Sequence, residues 1–512
     1  MRTSRATVGN HCDLCAPRAE AFPRSYCASR FWLLLVSFAA AAGAAQILRA
    51  AEPARSVSAS DAETNPEEFS EKFQVHLRTN AAPAAGAHTG ATNAESKSFH
   101  WNVSWRGWQG LEMSVSQSTS LKPPRELLGL DTTSTNPPVF HLEQLKMSGT
   151  FGGVVEVDAA AYHTTDNLDF SNDIEVRRAR LKALGDCILL LPVSYKIELG
   201  YIPNRFNLSE AWLCSTHSDY IGYLKAGFFQ PPMGLDLLTS SRDLEFMEPA
   251  TTLQALAPAK EAGIQIGQPV LSGRGTWALG IFGGGLVMTE YGNASQNYGN
   301  LIGRMTYLVL DRIDPAQPSH NRLLHVGLSL NVQYSGSSTV QYRSRPESYI
   351  APLIVDTGKI DADASGAVAA EAAYVRGPFS VQGEFVDSPV RENNGERLNF
   401  YGFYASASWF LTGESRRYDR FNGCFARVIP RRNFDFGRGG AWGAFELSGR
   451  VSHTDLTDGD ISGGRITLTM GELNWYLHSH VRWMFNGGVG HVSGGPSEGN
   501  LVLFQSRVGV DF

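Results

Sequence analysis

The sequence predicts an all-β fold, a transmembrane antiparallel β-barrel of about 16 strands. Three observations predict it. From about Ser98 onward, segments of roughly 8 to 14 residues alternate apolar and polar side chains between clusters of Gly, Asn, Asp, Ser and Pro, which is strand spacing rather than helix spacing. The mean hydropathy of -0.18 excludes a helical transporter, which needs several runs of about 20 apolar residues. The final segment alternates most clearly and ends on Phe512.

In that segment Val502, Phe504, Val508, Val510 and Phe512 share one face, interrupted by Ser506. Gln505, Arg507, Gly509 and Asp511 share the other, with Leu501 and Leu503 at its start. In a transmembrane barrel the apolar face meets lipid and the polar face the lumen. Phe445, Leu447 and Val451 alternate in the same way with Glu446, Ser448, Arg450 and Ser452. Val193, Tyr195, Ile197, Leu199 and Tyr201 alternate with Ser194, Lys196, Glu198 and Gly200. In 465–477 the apolar parity changes between Met470 and Leu473, which predicts a β-bulge near Gly471 and Glu472. Trp101, Trp105, Trp108, Tyr201, Trp475, Tyr476, Trp483 and Phe512 lie near segment ends, where interfacial girdles form. A secreted β-sandwich gives similar alternation. A propeller is disfavoured by the lack of a repeat of about 40–50 residues.

Residues 1–44 read as a signal peptide: an apolar run from Phe31 to Ala42 follows Arg24 and Arg30 and precedes small residues. An N-terminal anchor helix is the competing reading. Cleavage is expected after Ala44 or Ala50. Residues 45–96, rich in Ala, Ser, Glu, Thr, Asn and Pro, read as a flexible linker, and 97–512 as the barrel domain. Beyond the leader remain Cys187, Cys214 and Cys424, enough for at most one disulfide. The net charge is -6, which does not suggest a nucleic-acid partner.

Five stretches, in order, resemble the phosphate-selective porin O and P family: Arg177 to Leu181, Leu238 to Glu248 followed by Ala255 to Pro258, Trp409 to Glu414, Ala441 to Ser452, and Leu473 to Leu477. The resemblance covers roughly residues 100 to 512. The family's glycine-leucine-asparagine-tryptophan motif here carries an inserted Glu472. The resemblance implies a sixteen-stranded outer-membrane porin, a homotrimer, embedded in outer-membrane lipid. It implies passive uptake of small anions, with phosphate or polyphosphate as substrates. Phe512 would belong to the signal read by the barrel-assembly machinery.

A channel needs a lumen whose charge lowers the barrier for the permeant ion, together with a constriction. Arg178, Arg180 and Lys182 share one strand parity against Ala179, Leu181 and Ala183. With the apolar parity facing lipid, they form a cationic ladder about 13 Å long at ~3.3 Å per residue. Arg suits phosphate because its planar fork binds two oxygens. Lys196, Lys225, Arg304 and Arg450 also fall on expected luminal faces. The alternative is an ordinary wall braced by Arg–Glu pairs. Residues 230–260 break the strand pattern and read as a structured loop, folded inward as a constriction or packed on the rim. Inward folding makes Arg242 and Lys260 constriction candidates. No His-Glu-x-x-His or phosphate-loop motif is present, so no enzyme and no cofactor are expected. His478 and His480 could face a metal from one strand, but lack an evident third ligand. The competing function is a structural or adhesive barrel with a plugged lumen.

Overall fold

The computed structural model describes residues 98–105, 111–118, 139–142, 147–188, 192–202, 205–218, 221–283, 299–313, 321–435 and 440–512. The expected leader and linker lie outside them. The chain divides into two units, one taking in residues 17–148 and 187–192 and the other the rest of the barrel sequence. In the first, Ser98–Trp105 and Leu111–Ser118 pair as an antiparallel hairpin.

Among the described residues, sixteen long strands, all but the ends of three of them in the second unit, close into a barrel. They are β1 (Met147–Thr164), β2 (Asp173–Ile188), β3 (Pro192–Ile202), β4 (Arg205–Ser218), β5 (Gly222–Phe229), β6 (Glu261–Val270), β7 (Gly275–Gly283) and β8 (Gly299–Arg312). They continue as β9 (Arg322–Val340), β10 (Ile360–Arg376), β11 (Phe379–Glu392), β12 (Arg397–Phe410), β13 (Ala444–Asp458), β14 (Ile461–His478), β15 (Val481–Ser493) and β16 (Gly499–Asp511). Neighbours in sequence are neighbours in the sheet, and β16 pairs antiparallel with β1 to close it. Closure leaves no unpaired edge, which lipid could not satisfy.

The alternation read from the sequence sorts the faces. On β16, Val502, Phe504, Val508 and Val510 are exposed while Gln505 and Arg507 are buried inside. On β13, Leu447 and Val451 point out and Glu446, Ser448, Arg450 and Ser452 point in. Outside the barrel near Phe512, Trp475 stacks between Phe445 (5.5 Å between ring centroids) and Trp483 (6.2 Å), part of an aromatic girdle.

The bulge expected near Gly471 is absent. The β13–β14 register runs unbroken from Ala444 opposite Tyr476 to Asp455 opposite Arg465. Ile466, Leu468 and Met470 therefore face inward with Glu472 and Asn474, while Leu473, Trp475 and Leu477 face out. The apolar inward residues have a partner the alternation rule omits. Residues 230–260 fold into the lumen with two short helices, α1 (Leu235–Leu238) and α2 (Thr251–Leu256). Phe246, Leu253 and Leu256 from this loop share one buried cluster with Phe400, Ile466, Leu468, Leu501 and Leu503 of the wall. Residues 341–359 join from the same rim, and Tyr342 and Val355 enter that cluster. Cys187, Cys214 and Cys424 form no disulfide with one another.

The seam fixes the last residue. Phe512 donates its N–H to the Gly153 carbonyl (3.1 Å) and accepts from the Gly153 N–H (2.9 Å). A Cβ on Gly153 would stand 2.6 Å from the Phe512 ring and 2.7 Å from the Arg180 carbonyl oxygen. Gly153→Leu should therefore lower the yield of closed barrel, read as the heat-modifiable band on a gel. Gly487→Ala is the control, because its Cβ would meet nothing nearer than 3.7 Å. Equal yields of the two variants would contradict this account of the seam.

Candidate functional site: a cationic luminal cavity

The site begins with an irregularity in β2. Ile174 and Val176 are exposed on the outer face, and so is Leu181. The outward parity thus changes from even to odd, and both Arg177 and Arg178 turn inward. Two consecutive arginines on a membrane strand were a legible sign of this, since regular alternation would put one of them in lipid.

Both arginines meet Glu248 of the luminal loop. Arg177 donates from Nε to Glu248 Oε1 (2.7 Å) and from Nη2 to Oε2 (3.0 Å). Arg507 donates from Nη2 to Glu248 Oε1 (2.6 Å) and grips Asp158, its cross-strand partner on β1, with Nε and Nη2 (2.6 and 2.7 Å). Arg178 donates to Glu156 (2.5 Å) and lies 3.6 Å from Glu248. All six side chains are at most 5% exposed. Such a cluster depends on mutual pairing, because each charge alone would carry a desolvation cost of several kcal/mol. Arg450 extends the clamp. It donates to the Glu248 carbonyl (2.9 Å), pairs with Glu347 of residues 341–359, and covers the Phe246 ring at 4.1 Å.

Two carboxylates, one on the wall and one in residues 341–359, also cap the loop's helices. Glu384 accepts the N–H groups of Leu235 and Asp236 (2.8 Å each), and Glu347 accepts that of Thr251 (3.1 Å). Helix N-termini leave such donors unpaired and favour negative charge there.

Docked against β11 to β16, the loop leaves a cavity of about 410 Å³ on the β2 to β8 side. Among the described residues, seven cationic side chains line it: Arg180, Lys182, Lys196, Lys225, Arg242, Lys260 and Arg304. Three carboxylates, Glu198, Glu210 and Asp236, stand against them. The surplus is local, in a chain whose net charge is -6. Of the residues singled out in the sequence, Arg178 and Arg450 are spent in the buried clamp and do not line the cavity.

The cavity cations differ in their ties. Lys196 lies between Glu210 (2.6 Å) and Glu198 (3.4 Å), and Arg180 reaches Glu198 at 3.3 Å. Lys260 donates to the Ser209 carbonyl (3.1 Å), and Lys225 rides over the Trp212 and Phe229 rings (4.7 and 4.2 Å). Arg242 donates to Asp511 (3.0 Å). Arg304 pairs with Glu371 at 2.5 Å. Lys182 has no carboxylate within ion-pair distance among the described residues. His478 and His480 stack at 5.7 Å between ring centroids on the Phe512 rim, with His480 drawn toward Arg427 and Asp511.

Glu248 gives the loop a defined response to acid. Burial opposes its charged form, but Arg177, Arg178 and Arg507 overcome this and hold the carboxyl well below its ordinary 4.5. A depressed folded value means full stabilisation above the unfolded value and its loss as pH falls through the folded one. Burial raises Asp236, Asp243 and Glu245 of the same loop, so protonating those three on acidification favours the folded form. Amide exchange of residues 244–256, corrected for intrinsic rates, should stay slow from neutral pH to about 5 and quicken only below about 4.5. Loosening between pH 7 and 5 would contradict this.

The profile of the family described as phosphate-selective porin O and P matches residues 150–493. A protein of Caulobacter vibrioides described as uncharacterized is 27% identical over 328 residues, covering 62% of each chain. Porin O of Pseudomonas aeruginosa is 28% identical over 123 residues, covering 22% of this chain and 26% of that one. The chain thus matches less than two thirds of the length of either relative. Among solved structures, an anion-selective porin from Comamonas acidovorans overlaps with a TM-score of 0.45 at 13% identity, covering 72% of this chain and all of that one. OmpF of Salmonella typhi overlaps with a TM-score of 0.43 at 10% identity, covering 73% and 100%. The fold assignment rests on the strand pairing described above, and the family on the profile, which spans about two thirds of the sequence. The chain belongs to the phosphate-selective porin O and P family, whose members are outer-membrane channels.

Proposed function

We propose that this outer-membrane barrel passes small anions, phosphate among them, through the cationic cavity beside the luminal loop, without any chemical step. The observation that carries this reading is Lys182. It stands at the cavity wall with no carboxylate partner, near Arg242 and Lys196. Asp511 and Glu198 act on it only from beyond ion-pair distance, and a partly desolvated ammonium with no carboxylate in direct contact favours a mobile anion. The ties of Lys196 and Arg180 to glutamates keep their geometry fixed while leaving a cationic surplus along the path. The family's description as phosphate-selective supports an anion as solute. Phosphate suits the Arg residues because their forks bind two oxygens at once. The resemblance adds a homotrimer and delivery by the barrel-assembly machinery to the proposal.

A second reading draws on the loop itself. Residues 230–260 fill the β11 to β16 side of the lumen, as a plug in a structural or adhesive barrel would. One experiment separates the two. In planar bilayers under a chloride gradient, the full chain should conduct, with a reversal potential on the anion side. Lys182→Glu should reduce the anion-to-cation permeability ratio about twofold or more. Cation preference of the unaltered protein would overturn the anion reading. Absence of conductance from folded protein would favour the plugged barrel.

A further inference from the structure

The rim that carries Phe512 has one long connection, residues 411–443 between β12 and β13. A porin needs only a short turn there. Its described part instead forms a small hairpin, Arg417–Asp419 paired with Cys424–Ala426, and sends its tip inward. Phe421 and Asn422 at that tip line the same cavity as Lys182.

The tip is held chiefly by Arg304 of β8. That guanidinium donates to the Asn422 carbonyl from Nη1 (3.0 Å) and to the Gly423 carbonyl from Nη2 (2.7 Å). Its Nε and Nη2 also serve Glu371 of β10 (3.1 and 2.5 Å). Glu371 is fixed in turn by His325 (2.9 Å), whose other ring nitrogen meets Tyr418 of the hairpin at 2.7 Å. The hairpin's flank is tied by Arg420 to Asp311 (2.5 and 2.6 Å), and Phe421 leans on Tyr223 at 5.4 Å.

Arg304 thus divides its donors between a carboxylate and two neutral carbonyls, and it is itself a cavity-lining cation. A charged oxygen binds such donors about twice as strongly as a neutral one. An oxyanion reaching Arg304 therefore competes well against the tip carbonyls, while Glu371 stays paired. We infer that the hairpin of residues 417–426 is a gate on the cavity, released when an oxyanion takes the Arg304 donors from the Asn422 and Gly423 carbonyls. This regulates the anion path proposed above and rests on that reading.

Two readouts on the full chain in detergent or bilayers test it, with inorganic phosphate as the probe and chloride at matched ionic strength as control. In hydrogen exchange, phosphate should speed the amides of residues 417–426 and leave the strands unchanged. In single-channel recording, Arg304→Lys, which keeps the charge and loses the fork, should raise the ratio of open to closed dwell times at least about tenfold. Phe421→Ala, which leaves Arg304 intact, should act in the same direction. Unchanged or greater protection of the hairpin by phosphate would overturn the gate, as would unchanged dwell times in both folded variants of a conducting channel. A hairpin that loosens with phosphate in a protein that never conducts would uphold the Arg304 switch and overturn the conducting function instead.

Discussion

The arrangement depends on one carboxylate in a nest of arginines. Glu248 lies within a loop, yet its partners stand at the barrel seam and on the strand beside it: Arg507 on β16, itself held across the seam by Asp158 and Glu156 of β1, and Arg177 and Arg178 on β2. Closing the barrel and seating the loop are therefore not independent. Without the loop, three buried arginines would share two carboxylates. Without the seam, Glu248 would lose Arg507. Breaking a buried pair is far more costly than its net contribution suggests, because the survivor stays desolvated and uncompensated.

From that anchor follows the division of the lumen. The loop presents Phe246, Leu253 and Leu256 to apolar wall residues on one side and leaves the cationic wall of β2 to β8 facing open space. The wall is consequently of two kinds. One half is built like the core of a soluble protein. The other carries charge and space. The acidic balance of the whole chain does not conflict with an anionic solute, because field strength is set by the charges lining a low-dielectric path rather than by the total.

Much of this was legible in the residues. The outward faces of β13 and β16, the inward parity of Arg180 and Lys182, and the structured loop all follow from local alternation or its interruption. Illegible were features set by partners far along the chain. Ile466, Leu468 and Met470 looked lipid-facing because period-two patterning cannot distinguish lipid from an apolar plug. Packing against the loop decided it, and the supposed bulge vanished. The true phase change, at Arg177 and Arg178, gained its meaning from Glu248, 71 residues away. Arg178 carried the right parity for a pore cation, but its partners Glu156 and Glu248 take it out of the cavity.

The pinning of the loop by Glu248 is the claim on which cavity and gate both stand, and a double-mutant cycle addresses it most directly. Glu248→Gln, Arg177→Gln and their combination would be compared by chemical denaturation of the folded barrel in detergent. Direct pairing predicts that the second substitution is much milder in the presence of the first, with a coupling of about 1–3 kcal/mol. Additive effects within about 0.5 kcal/mol would mean that the two groups do not interact, and would contradict the account.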